Sequence, residues 1–326
     1  MVLFSKWRVN TVTTINSVLG PLDTAKLGVT LCHEHLQDSS TALIMNYPEL
    51  MEKAYKKHII DGLKKAKAGG IDTVVDASTM DLGRDVNLLA ETSRASGVNV
   101  ITISGWALEK PRFFPGITVK RCAQAFIKDI KVGIAGTDIK AGVLKGASDR
   151  AGVLPGEAIV LRALAWAHLE TGVPIMLHSS CAGEIARQQI AILKEEGVNM
   201  GRVKIDHTND TTDLKYLTWI LDQGCFLGLD RYPGSRITPK ERTNCLKALL
   251  DMGYQDRLCV SHDWSLARFR SRKSPAGSPE KRKKINPYGF LFIRDVVFPQ
   301  LREMGVSEKV ISTLLVNGPR KFFEGK

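Results

Sequence analysis

The chain is short of several things, and each shortage excludes a class of protein. It has no run of 18 or more apolar residues, so no segment reads as a membrane-spanning helix. Its opening stretch, MVLFSKWRVN, lacks the apolar core and small-residue cleavage site of a secretory signal. Cys32, Cys122, Cys181, Cys225, Cys245 and Cys259 are scattered without a CxxC pair, several in apolar strand-like runs. That usage suits buried free thiols in a reducing compartment rather than disulfide staples. A soluble, cytoplasmic protein with no membrane partner is expected. No Pro/Ser-rich linker divides the chain outside one basic stretch, so a single domain over residues 1–326 is the simplest account. A chain of this length buries roughly three-quarters of the surface its unfolded form exposes and needs no structural metal. Any metal is therefore expected to be catalytic.

What is abundant is positive charge, a formal +12. Such an excess raises the prospect of phosphate neutralisation on nucleic acid or a membrane surface. The distribution argues otherwise. Between Arg268 and Lys284 (RFRSRKSPAGSPEKRKK) eight Lys/Arg stand against one Glu, so this loop alone carries +7 of the +12. It reads as a solvated loop or as a lid over an anionic or polar substrate. A small-molecule substrate is expected, and no nucleic acid.

The rest alternates short β-branched or apolar runs with longer amphipathic stretches, the signature of repeated βα units. Strand cores are read at Val29 to Cys32, Thr73 to Asp76, Asn99 to Ile103, Gly142 to Lys145, Pro174 to Leu177, Val203 to Asp206, Phe226 to Leu229 and Leu258 to Ser261. Three- and four-residue apolar spacing predicts helices at Tyr55 to Ala68, Thr118 to Ile134, Ala158 to Thr171, Ala186 to Glu196 and Pro239 to Met252. Eight strands in eight units is the count of a closed TIM (β/α)8 barrel. A small hairpin over Val9 to Asp23, around Gly20-Pro21, precedes it, and a long loop follows the last strand.

In such a barrel the chemistry gathers at the carboxyl ends of the strands. LCHEHL ends the first strand with His33 and His35 two residues apart, so an extended backbone points both imidazoles to one face. AGVLKGAS ends the fourth with Lys145, VPIMLHSS the fifth with His178, and VKIDHTND the sixth with His207. LCVSHDW ends the eighth with His262, a possible further ligand, and Asp263. Each alone has an ordinary explanation, a satisfied polar residue or a lysine stem reaching solvent. His58 and His168, on helical segments, are left as structural or surface residues. The ordered conjunction points to a site for two divalent ions, most naturally zinc, which accepts His nitrogen and carboxylate oxygen. Four histidines and one aspartate supply little anionic charge and no bridge. A lysine beside such cations is disfavoured as ammonium, and its free amine can combine with carbon dioxide to give a bridging carbamate.

The pattern HEH, Lys, His, His-Thr-Asn-Asp, Gly-Leu-Asp-Arg-Tyr, Ser-His-Asp resembles the phosphotriesterase family of the amidohydrolase superfamily, including its lactonase-like branch. The likeness runs from about Val9 to the end of the chain. It implies that His33, His35 and Asp263 hold the more buried metal and His178 and His207 the more exposed one, with carbamylated Lys145 and a hydroxide bridging them. It implies Asp263 as general base, Asp210 as relay carboxylate, Asp230 as a support behind the ligands, and Arg231 at the substrate or the relay. Trp106, Tyr232 and Trp264 are expected at the pocket wall, although Trp106 follows Gly105 more closely than the family pattern has it. A homodimer is implied on the same ground.

The implied reaction is attack of a metal-bridging hydroxide on a phosphotriester or a lactone. Amide, carboxylate-ester or phosphorylated sugar-lactone hydrolysis is the alternative within the superfamily. A non-catalytic anion or nucleic-acid binding protein is the alternative outside it, and it leaves the ordered strand-end ligands unexplained.

Overall fold

In a computed structural model of the protein, the described residues are 13–51, 53–108, 116–234, 236–268 and 279–325. The N-terminal alternation folds as an antiparallel hairpin of β1 (Thr14–Ser17) and β2 (Gly20–Asp23). Gly20 and Pro21 open the second strand instead of forming the turn. Residues 9–12 of the expected hairpin lie outside the described residues.

Eight parallel strands follow in chain order: β3 (Thr30–Asp38), β4 (Thr73–Asp76), β5 (Asn99–Gly105), β6 (Val143–Ser148), β7 (Ile175–Ser179), β8 (Val203–Ile205), β9 (Phe226–Leu229) and β10 (Leu258–Val260). A ninth, β11 (Ser265–Arg268), continues the β10 segment but pairs with β3, placing Ser265 opposite His35. Between them, Asp263 N–H donates to the His33 carbonyl at 3.1 Å and His35 N–H to the Trp264 carbonyl at 3.0 Å. The last strand thus begins beside β9 and ends beside the first, which closes a TIM-type (β/α)8 barrel. The eighth strand expected at Leu258 to Ser261 is the first half of this longer crossing.

The helices form where apolar spacing meets a cap. Val119–Lys131 starts from Thr118, whose hydroxyl accepts from Arg121 N–H, and buries Cys122, Ala123, Phe126 and Ile130 at three- and four-residue spacing. Pro239–Asp251 starts from a Thr238/Glu241 capping box. Tyr55–Ala68 matches its expected span, while Pro155–Thr171 begins three residues earlier than Ala158, because Pro155 with its fixed φ opens the first turn. Of the basic stretch, residues 269–278 lie outside the described residues. Pro279–Ile285 is a helix rather than a loop, in keeping with a run of good helix formers behind a proline. Among the described residues no helix is long and apolar enough to cross a membrane.

The core has two layers. Outward-facing strand residues such as Leu31, Val74, Val100, Leu144 and Leu177 pack beneath the helices. Inward-facing Cys32, Val75, Ile101, Val143, Met176, Phe226 and Cys259 fill the barrel, joined at its lower end by Ile15 of the hairpin and by Phe322 and Phe323 of the C-terminal Gly318–Glu324 helix. One irregularity matters for function. Between Leu31 and Glu34 the β3/β4 register slips, a bulge. It sets two β3 residues, Cys32 and His33, against one of β4, and both of them face the barrel axis.

Candidate metal centre

The carboxyl ends of β3, β6, β7, β8 and β10 converge on one cavity of ≈ 470 Å³. Its lining includes His33, His35, Lys145, His178, His207 and Asp263. His33 Nε2 and His35 Nε2 lie 3.4 and 3.2 Å from Asp263 Oδ1. His207 Nε2 lies 2.8 Å from His178 Nδ1. His207 and Asp263 both have positive φ, 62° and 50°, a conformation costing about 1–3 kcal/mol for a non-glycine residue and kept where surrounding contacts enforce it. Those contacts are present: His207 N–H donates to Asp230 Oδ1 at 2.8 Å, and Asp263 N–H is held by β3.

Three imidazoles have their orientation set from behind. His33 Nδ1 and His207 Nδ1 donate to the two oxygens of Asp230, each at 2.9 Å, and His35 Nδ1 lies 2.8 Å from Ser78 Oγ. Each Nε2 is then turned toward the cavity, the tautomer a metal ligand needs. Asp230 itself, 1% exposed, forms a second tight group with His33 and His207. Its oxygens are already taken by their Nδ1 protons, so it supports the ligands.

The electrostatics favour added positive charge. Burial opposes protonation of His33, yet Asp206, Asp230 and Asp263 together push its pKa up to about 9. Burial also opposes ionisation of Asp263, but His207, His33 and His35 hold its carboxyl well below the usual range. Burial lowers His207 and drives His178 well below the ordinary value, helped there by His207 and Lys145. Burial likewise lowers Lys145, although Asp206 pulls the other way. His178 and His207 kept neutral, a charged carboxylate, an amine eased toward neutrality and, at His33, a carboxylate field that welcomes a cation in place of a proton form a donor set that fits divalent cations.

Lys145 stands on β6 where β5 comes closest. Gly105, at φ 138°, ends β5 directly against the Lys145 backbone, and a Cβ there would collide with the Lys145 carbonyl. The lysine amine contacts Asp206, which also pairs with Lys204. Lys204 and Asp206, both 0% exposed, form a charged pair inside the barrel that the sequence reading did not single out. The signal was there, since Val203 and Ile205 pack outward and leave Lys204 and Asp206 sharing the other face.

Glu34, the middle letter of HEH, was also passed over. It turns away from the cavity and ties β3 to the last strand, accepting from Ser261 Oγ (2.7 Å), His262 N–H (2.9 Å), His262 Nδ1 (2.6 Å) and Trp264 N–H (3.2 Å). This clamp explains a correction. His262 does not join the cavity as a further ligand, because its Nδ1 is held by Glu34 and its Nε2 accepts from Ile293 N–H at 3.3 Å.

Arg231 bridges two carboxylates, with Nε 3.1 Å from Asp263 Oδ2 and Nη1 2.7 Å from Asp210 Oδ2; Asp210 also accepts from Arg242 Nη2 at 2.8 Å. The aromatic residues expected at the wall stand elsewhere. Trp106, immediately after Gly105, turns into the sheet–helix layer, edge-on to Phe126 at 5.5 Å, and lines a neighbouring apolar cavity. Tyr232 is 1% exposed and stacks on Phe292. Trp264 lies under the Arg282 guanidinium, 5.0 Å from its ring, on the far side of β11. Among the described residues Ala107 and Leu108 face the cavity where Trp106 was expected.

Comparison with known proteins agrees with the geometry. The sequence model of the phosphotriesterase family matches residues 13–323. The chain belongs to the phosphotriesterase family. A phosphotriesterase homology protein of Mycobacterium tuberculosis is 36% identical over 325 residues, covering 95% of this chain and 97% of its own. An aryldialkylphosphatase of Saccharolobus solfataricus is 34% identical over 314 residues, covering 93% and 96%. An N-acetyltaurine hydrolase of Xenopus tropicalis is 22% identical over 354 residues, covering 96% and 98%. Phosphotriesterase-family chains are metal-dependent hydrolases of small substrates, and this one carries His/Asp groups able to hold a metal.

Proposed function

We propose that this chain is a two-metal hydrolase, zinc-dependent, that cleaves phosphotriesters, lactones or both. The observation that carries the reading is the meeting of His33, His35, Lys145, His178, His207 and Asp263, from five separate strands, at one barrel mouth. His33, His35 and Asp263 would hold one ion, His178 and His207 the other, and Lys145 as its carbamate would join them. When bound, such ions polarise a P=O or C=O oxygen and make water acidic enough to act as a nucleophile at neutral pH.

The chain's own groups do the rest. Asp263, kept ionised by its histidine neighbours, accepts the proton of the attacking water at an oxygen already oriented by Arg231. Asp210 shares Arg231 with Asp263 and borders the adjoining polar cavity, which supports its role as the outward proton carrier. The buried walls around Lys145 and His33 exclude bulk water and strengthen each of these contacts.

Amide or carboxylate-ester hydrolysis is the second reading, favoured by relatives described as N-acetyltaurine hydrolases. A homodimer in the cytoplasm completes the proposal. The test is metal content per chain for the natural protein and Lys145→Ala, with paraoxon, a panel of γ- and δ-lactones, and acyl amides assayed with zinc or cobalt supplied. Close to two ions per chain, reduced together with activity in the variant, is expected. Unchanged stoichiometry in Lys145→Ala, or full activity without metal, removes the reading.

A further inference from the structure

Beyond His178, and sharing it with the cavity of the histidine cluster, lies a second cavity of ≈ 580 Å³ with a different character. Arg150, Arg231, Arg236 and Arg242 line it against only two carboxylates, Asp149 and Asp210. Arg231 and Arg242 are committed to Asp210. Asp149 accepts from the Arg150 backbone N–H at 2.8 Å, not from its guanidinium. The Arg150 and Arg236 guanidiniums have no ion-pair partner among the described residues and stand exposed to this space.

Two uncommitted guanidiniums facing one space, with Ser179 and Ser180 in its wall, form the arrangement that holds a phosphate, sulfonate or carboxylate, which accepts several charge-assisted N–H bonds at once.

We propose that this cavity is a subsite for an oxyanion substituent of the substrate, so that the preferred substrate is a hydrolysable ester, lactone or amide bearing a terminal anion. The proposal deepens the hydrolase reading and rests on it for the reacting bond. The anion sits on the Arg150/Arg236 side of His178, and the bond to be cleaved on the Lys145/His33 side. A neutral substrate would leave the two guanidiniums as they are and gain nothing from them.

Two measurements on the metal-loaded protein test this. Mono-4-nitrophenyl glutarate and 4-nitrophenyl butyrate are compared as a charged and a neutral ester of similar length. The charged ester is expected to have kcat/KM at least tenfold higher, with that ratio falling at least tenfold in Arg150→Met/Arg236→Met, mainly through KM, and staying put in Lys120→Met, which removes one charge from a remote exposed helix. Calorimetric titration with inorganic phosphate and with methanesulfonate reads the subsite without turnover. Binding weakened at least tenfold in the double variant supports the proposal, and the ranking of the two anions separates phosphate from sulfonate as the natural group. Binding unchanged in the double variant, or a charged-to-neutral ratio that the double variant does not move, overturns it. Absence of ester hydrolysis with anion binding intact counts against the hydrolase reading and leaves the subsite standing.

Discussion

At the scale of single residues, the site depends on groups that never touch substrate. Asp230 sets the tautomer of two histidines, Ser78 faces a third, and Glu34 holds the backbone on either side of Asp263. Lys204 is the most exposed to failure because it is fully buried and charged. Burial disfavours its ammonium, but Asp206 and Asp230 outweigh that and raise its pKa above the ordinary lysine value. Removing one member of a buried ion pair leaves the other uncompensated, at roughly 3–5 kcal/mol, whereas removing both is much less harmful. Lys204→Met is therefore expected to lose about 3 kcal/mol, within the lower part of that range since Lys145 still faces Asp206. Lys204→Met/Asp206→Asn is expected to recover little of it, because the second change takes from buried Lys145 the carboxylate it contacts. Denaturant titration of both proteins checks this, and a single variant within 1 kcal/mol of the natural protein would refute it.

At the scale of the element, the helix Pro155–Thr171 shows how burial couples to pH. His168 closes its last turn, 6% exposed, with Nδ1 donating to the Val173 carbonyl at 2.8 Å. Burial, with Arg202 nearby, lowers its pKa below the ordinary 6.5, and the Val173 bond only partly offsets that. In the unfolded chain this imidazole takes a proton as pH falls through 6.5, while in the folded protein it stays neutral. Its contribution to stability is thus whole above pH 6.5 and declines below it, by up to about 1.4 kcal/mol per pH unit, until the lowered folded value is reached. The natural protein should lose more stability between pH 7.5 and 5.5 than His168→Gln does. Equal losses would show that His168 takes no part. The same helix was legible beforehand from its apolar spacing. Its first turn precedes that spacing, because Pro155 opens the helix and the Glu157 carboxylate accepts from Leu154 N–H.

At the scale of the whole molecule, the barrel is sealed below and open above. Phe323, 0% exposed, fills the lower interior far along the chain from the strands it touches. Phe323→Ala is expected to cost about 3–5 kcal/mol, with metal content per chain unchanged below the unfolding temperature. Thermal unfolding and metal analysis together check it, and loss of metal from the folded variant would show that the lower core and the upper site are not separable.

The amino-acid order alone determined the barrel, the place of eight of its nine parallel strands, and the set of histidines, lysine and aspartate at the strand ends. Periodicity and motif spacing are local, and a parallel barrel puts all eight carboxyl ends at one mouth. Only the tertiary structure decided which polar residues share that mouth. His262 leaves it because Glu34 and Ile293 claim its nitrogens, and Trp106 leaves it because a Cβ-free Gly105 lets β5 press against Lys145 before the chain turns away. The Arg150/Arg236 cavity was likewise out of reach of the sequence. Its walls come from the ends of β6, β7 and β9, and side chains so far apart along the chain become neighbours only once the sheet has closed.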